Sequence, residues 1–104
     1  MKTFTKQPRD VLDFDVDMSN WFAGLDDDIQ SVTVTVRSDM EDPPTLDAGP
    51  LPHPAVILLG DPPTRFKVWL GGGTDRTDYI VSCLVATEAD RQKEIEFKVR
   101  VRDL

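Results

Sequence analysis

Apolar and polar residues alternate with period two along much of the chain. From Val11 to Met18, the apolar Leu12, Phe14, Val16 and Met18 stand between Asp13, Asp15 and Asp17, the pattern of a strand with one wet face. Ser19 to Leu25 breaks the alternation. Trp21, Phe22 and Leu25 are spaced as one helical turn, enough to plug one end of a core, and Asp26, Asp27 and Asp28 follow as a solvated bend. Ile29 to Arg37 alternates again, with Val32, Val34 and Val36 against Ser31, Thr33 and Thr35, all suited to a pleated surface. Ser38 to Pro54 holds five of the eight prolines. Each lacks a donor and fixes φ, so this stretch predicts a long loop with room for a short edge strand at most.

Ala55 to Leu59 is a continuous apolar run closed by the turn residues Gly60, Asp61, Pro62 and Pro63. Arg65 to Leu70 alternates ahead of Gly71, Gly72 and Gly73, and Tyr79 to Thr87 is apolar on both parities. Lys93 to Arg102 puts Ile95, Phe97, Val99 and Val101 on one face and charged residues on the other. The last two strands, joined through Glu88 to Gln92, read as a hairpin. No segment sustains helical periodicity, so the prediction is all-β: an antiparallel sandwich of six to seven strands. Residues 1–9 read as an N-terminal extension and residues 10–104 as the single domain. Leu12, Phe14 and Val16 should enter the core with Phe97, Val99 and Val101. If the first strand runs beside the last, Asp13, Asp15 and Asp17 come near Lys98, Arg100 and Arg102.

At 104 residues the chain has room for one modest core. With 39% hydrophobic residues it escapes the disordered class despite a net charge of -7. That acidity argues against nucleic acid and anionic membranes as partners, because both need clustered Lys and Arg. Met1 to Arg9 has no apolar core of a leader, and no stretch is long enough to span a bilayer. The expectation is a protein made and kept in the cytoplasm unless a partner carries it elsewhere. Cys83 is the only cysteine, which rules out an internal disulfide.

The residues that could carry chemistry are few. His53, the sole histidine, sits between Pro52 and Pro54 with no other ligand at metal spacing. Cys83 lies mid-strand, where a thiol acts as a small hydrophobe. Gly71-Gly72-Gly73-Thr74 lacks the Lys-Ser/Thr and the helix of a phosphate loop and reads as a turn. The aspartates at 13, 15, 17 and 26–28 are oxygen ligands of the kind calcium takes, but their spacing is not that of an EF-hand, and alternate acids on a strand form a solvated face. Neither catalysis nor a cofactor or metal is expected. Tyr79, opening the penultimate strand ahead of Val81 and Cys83, is similar to the tyrosine corner of immunoglobulin and fibronectin type III sandwiches.

The order of signals carries a wider resemblance. Val11-Leu12-Asp13-Phe14-Asp15 precedes Trp21; then come Ser31-Val32-Thr33-Val34 and Val68-Trp69-Leu70-Gly71-Gly72-Gly73-Thr74. Tyr79, Val81, Cys83, Ala86-Thr87, Arg91 and Val99-Arg100-Val101-Arg102 complete the series. Over roughly residues 10 to 102 the chain resembles the short immunoglobulin-like virion proteins of tailed bacteriophages and prophages known as fibre-tail adaptors. The resemblance implies a structural component of the particle, assembled in the bacterial cytoplasm, with phage tail, portal-ring or fibre proteins and further copies of itself as partners, and no catalytic residues. Two features depart from it: the long Pro-rich loop, and Glu88-Ala89-Asp90 where a turn with more glycine is usual.

An adaptor needs contact surfaces. Val56 and Leu58 are expected beside Ile80 and Leu84 in one sheet, forming an apolar patch outside the sandwich, covered by a partner or by Met40, Leu46 and Leu51 of the loop. Trp69 has the parity opposite to Phe66, Val68 and Leu70, so it either faces outward or sits at a bulge, and an outward Trp69 is either an interface anchor or packed under a loop. Lys98 and Arg100 add positive charge from a basic C-terminal stretch, whereas Asp10 to Asp47 has eleven carboxylates against Arg37 alone. The alternative function is a stand-alone carbohydrate or adhesion module, for which Trp21, Phe22 and Trp69 are the available aromatics.

Overall fold

The alternating segments form strands, and the parity of each decides what it buries. A computed structural model of the chain describes residues 1–38 and 54–104, together with the backbone of residues 46–47. Among these lie β1 (Lys2–Lys6), β2 (Leu12–Asp17), the helical turn α1 (Ser19–Phe22), β3 (Ile29–Ser38), β4 (Leu46–Asp47), β5 (Val56–Gly60), β6 (Pro63–Gly72), β7 (Thr77–Thr87) and β8 (Gln92–Val101). One sheet has the order β1-β8-β7-β3. In the other, β6 is central, with β2 on one side and β5 on the other, and β4 pairs with Gly71 and Gly72 at the end of β6.

The two sheets close on one core. Phe66, Val68 and Leu70 from one layer and Val81, Val85, Val99 and Val101 from the other are fully buried, each worth about 1.5–3 kcal/mol in removed apolar area. Phe14, Phe97 and Phe4 join the layers, with ring centroids 5.0 to 5.7 Å apart. Met18 and Phe22 close one end, and Trp21 packs edge-on against Phe22 at 4.9 Å. The turn α1 is held at its start by Asp17, whose Oδ1 accepts from both the N–H and the Oγ of Ser19.

Several expectations are corrected. Residues 1–9 were expected to be an extension, yet β1 lies within them and pairs in parallel with β8 from Lys2↔Phe97 to Lys6↔Val101. Phe4 faces the core, and Lys6 is only 2% exposed. Its Nζ donates to the carbonyls of Gln7 (2.6 Å) and Gly72 (2.5 Å), tying β1 to β6. Burial pulls the pKa of this ammonium down, against a smaller upward pull from Asp10. The strand beside the last one is therefore β1; β2 pairs with β6 instead. Asp13 and Asp15 consequently meet Lys67, at 2.6 and 3.5 Å, and the acid beside Arg100 and Arg102 is Asp78. On β2, Phe14 is buried and Val16 half-buried as expected, but Leu12 is 38% exposed at the strand's end.

The bend at Asp26–Asp28 also differs from a solvated one. The side chain of Asp27 is wholly shielded (0% exposed). Its Oδ1 accepts from the amides of Asp28 (2.9 Å) and Ala89 (3.0 Å), and its Oδ2 from Arg91 (2.8 Å). Burial alone would raise its pKa, but these bonds and one from Thr87 outweigh that and bring it down to about 2. The carboxylate thus fastens the β7–β8 turn to the start of β3. Its folded pKa lies below the ordinary 3.8, so its stabilisation is present above about pH 4 and is lost as pH falls toward about 2. Thermal melts of the native protein and an Asp27→Asn variant should differ most near neutrality and converge through that acid window.

Candidate functional site

Register assigns every expected interface residue to a face, since directly opposed residues share one. Val56 opposes Val68 and Leu58 opposes Phe66, so both point toward the sandwich interior; Val56 packs on the core and Leu58 lies at the rim. The outward pair on β5 is Ile57 and Leu59, opposite Lys67 and Arg65. Nor is β5 a neighbour of β7: they belong to different sheets. The single patch expected from Val56, Leu58, Ile80 and Leu84 does not exist. An apolar run such as Ala55–Leu59 carries no parity signal of its own, which is why its faces were assigned the wrong way round.

Ile80, Leu84, Lys98 and Arg100 do share a face, the outer surface of the β1-β8-β7-β3 sheet. Across β7, Ile80 lies between Lys98 and Arg37, and Leu84 between Glu94 and Thr33. Leu84 is 41% exposed. Between them Ser82 donates to Glu96 (2.6 Å) and accepts from Arg37, which also pairs with Glu96 at 2.8 Å. The Ser82 hydroxyl first, and then Arg37, hold the Glu96 carboxyl below its ordinary range.

Trp69 lies on the outer surface of the other sheet. Its register through β2 is unbroken from Leu12↔Leu70 to Asp17↔Arg65, so it faces outward without a bulge, half-buried. Around it run Ile57 and Leu59 on one flank and Asp13, Asp15 and Asp17 on the other, with Lys67 and Arg65 between. The row of aspartates lies on this outer face and the basic Lys98 and Arg100 lie on the other, although each face also carries charges of the opposite sign. Much of that separation is cancelled locally, by Lys67 on Asp13 and Asp15 and by Asp78 on Arg100 and Arg102.

The remaining candidates for chemistry have structural surroundings. Cys83 is fully buried on the inner face of β7, and burial pushes its thiol up to about 11. Labelling of the native protein by a thiol reagent at neutral pH should therefore be limited by unfolding, and Cys83→Ser should cost about 1–3 kcal/mol in denaturant titrations through an unpaired hydroxyl. Tyr79 is buried, and its hydroxyl accepts from the Thr74 amide at 2.9 Å, pinning the loop after Gly73. Gly71 and Gly72 belong to β6 rather than to a free turn. Phe22 is buried and Trp21 packs on the core, so neither offers an open stacking platform. His53 and the loop residues Met40, Leu46 and Leu51 fall outside the residues whose side chains are described. Among the described residues no three of His, Cys, Asp or Glu are grouped to hold a metal, and no helix is long and apolar enough to cross a membrane.

No curated protein matches the chain. A family model does, that of the podophage GP4 fiber-tail adaptor protein gp77, over residues 6–100. The match runs from the end of β1 to the end of β8 and takes in both sheets, with the outer faces that bear Ile80, Leu84 and Trp69. The chain therefore belongs to the podophage fiber-tail adaptor family, structural components of the virion whose partners are tail and fibre proteins.

Proposed function

We propose that this adaptor joins fibre to tail or portal ring in several copies, using the outer faces of its two sheets as separate contact surfaces. Assembly takes place in the cytoplasm of the bacterial host. A linker must hold two partners at once, and a two-layer domain presents two rigid faces pointing apart. The observation that carries this reading is the pair Ile80 and Leu84, large apolar side chains at mid-strand on a face made mostly of charged and hydroxylic residues. Lys98 and Arg100 border them, fitting the polar rim of a protein contact. Trp69 with Ile57 and Leu59 is the matching surface on the opposite sheet, and tryptophan is a frequent anchor of such contacts.

The fold is read as immunoglobulin-like. The order β2-β6-β5 corresponds to strands B, E and D of that arrangement, and β8-β7-β3 to G, F and C, with β1 added beside G. The Tyr79–Thr74 bond supports this as a tyrosine corner. A rigid scaffold of this kind fits a spacer between larger assemblies.

The test is incorporation. Ile80→Lys with Leu84→Lys should leave circular dichroism and melting nearly unchanged, yet lower the amount of protein in purified particles about tenfold or more. Leu84→Lys alone, at the more exposed position, serves if the double variant does not fold. Normal incorporation of a folded variant would overturn the proposal.

A further inference from the structure

β2 is the outer strand of its sheet: β6 pairs with one side, and among the described residues no strand pairs with the other. Main-chain alternation fixes what faces that edge. Met18 donates to the Thr64 carbonyl at 3.1 Å, so in step with it Val16, Phe14 and Leu12 bond toward β6, whereas Asp13, Asp15 and Asp17 turn their main-chain groups outward. Beside this edge, between the two sheets, opens a cavity of about 350 Å³ lined by Phe4, Phe14, Val16, Ile95 and Phe97. Asp15, Asp17, Lys2 and Glu96 also border it, the Glu96 carboxylate being turned to the outer face where it meets Ser82 and Arg37.

We propose that this edge and cavity take up an extended segment of another protein in which apolar residues alternate with lysine or arginine, adding a strand to β2. A strand laid there directs alternate side chains inward, beside Phe14 and Val16 and into the cavity, and the intervening ones outward, beside Asp13, Asp15 and Asp17. The cavity requires carbon at the first set. The aspartates require positive charge at the second, since Lys67 meets Asp13 closely but leaves Asp15 69% exposed at 3.5 Å. The same row of acids excludes a second copy of the chain docking through its own β2, which would set aspartate against aspartate. This site does not involve the outer-face residues Ile80, Leu84 or Trp69, so it stands or falls apart from them.

The probe is a short synthetic peptide alternating valine with lysine, added to the full-length protein and followed by NMR and amide hydrogen exchange. The amides of Asp15 and Asp17 should gain protection, the signals of Val16, Ile95 and Phe97 should shift, and a peptide alternating valine with glutamate should not bind. Asp15→Pro removes an outward N–H while sparing the ladder to β6, and should weaken binding about tenfold or more. Ile95→Lys, which puts charge into the cavity wall, should do the same and serves if the proline variant is unfolded. Absence of binding, equal binding of the glutamate peptide, or protection confined to other strands would overturn the inference.

Discussion

Deleting residues 1–6 should lower the stability of the domain by about 3 kcal/mol or more, because the half-buried ring of Phe4 and the pairing of a whole strand are lost together. The deletion removes Phe4 from the Phe14–Phe97 cluster, strips β8 of the strand paired along its edge, and takes away Lys6, whose ammonium bridges to the Gly72 carbonyl. A domain of this size has only about 5–15 kcal/mol in total, so this is a large share. At about 4–8 °C per kcal/mol, the melting temperature should fall by well over 10 °C. A drop of one or two degrees would return the N-terminal residues to the status of an extension.

Phe97→Ala should be nearly as costly, about 3–5 kcal/mol. Phe97 is 4% exposed and touches rings from both layers, Phe4 edge-on at 5.7 Å and Phe14 tilted at 5.7 Å. Truncation leaves a void between the sheets that neither backbone can close, because both strands are fixed by their ladders. A urea titration should show a lower midpoint with the slope preserved. A loss under about 1 kcal/mol would mean that the layers are not coupled through this cluster.

How much of this was legible in the sequence depends on the strand. β2, β3 and β8 alternate cleanly, and the parity of Phe14, Val34 and Val99 already points each toward the core. β7 was legible as a strand despite its two apolar parities, since Tyr79, Val81, Cys83 and Val85 form an uninterrupted inner row. β1 was not. Lys2-Thr3-Phe4-Thr5-Lys6 has one apolar residue, and its buried position is filled by a lysine whose charge is met by the adjacent carbonyl of Gln7 and by that of Gly72, distant in sequence. Pairing was the second gap. Periodicity says which face a residue takes but not which strand lies beside it, so it cannot tell that β5 pairs with β6 and lies in the sheet opposite β7. Asp27 was hidden for a related reason: three adjacent aspartates look alike in sequence, and only the folded turn at Ala89 and Arg91 singles one out. For Trp69 alternation leaves an outward position and a bulge both open, and the unbroken register with β2 decides for the outward one.

An adaptor role fixes where this domain sits in the particle and which of its faces are covered there. Electron cryomicroscopy of the assembled virion at the junction of tail and fibre measures this directly. The predicted result is several copies of the sandwich at that junction, with Ile80, Leu84, Lys98 and Arg100 buried against one neighbour and Trp69 against another. Finding the domain there with both outer faces open to solvent, or not finding it in the particle at all, would contradict it.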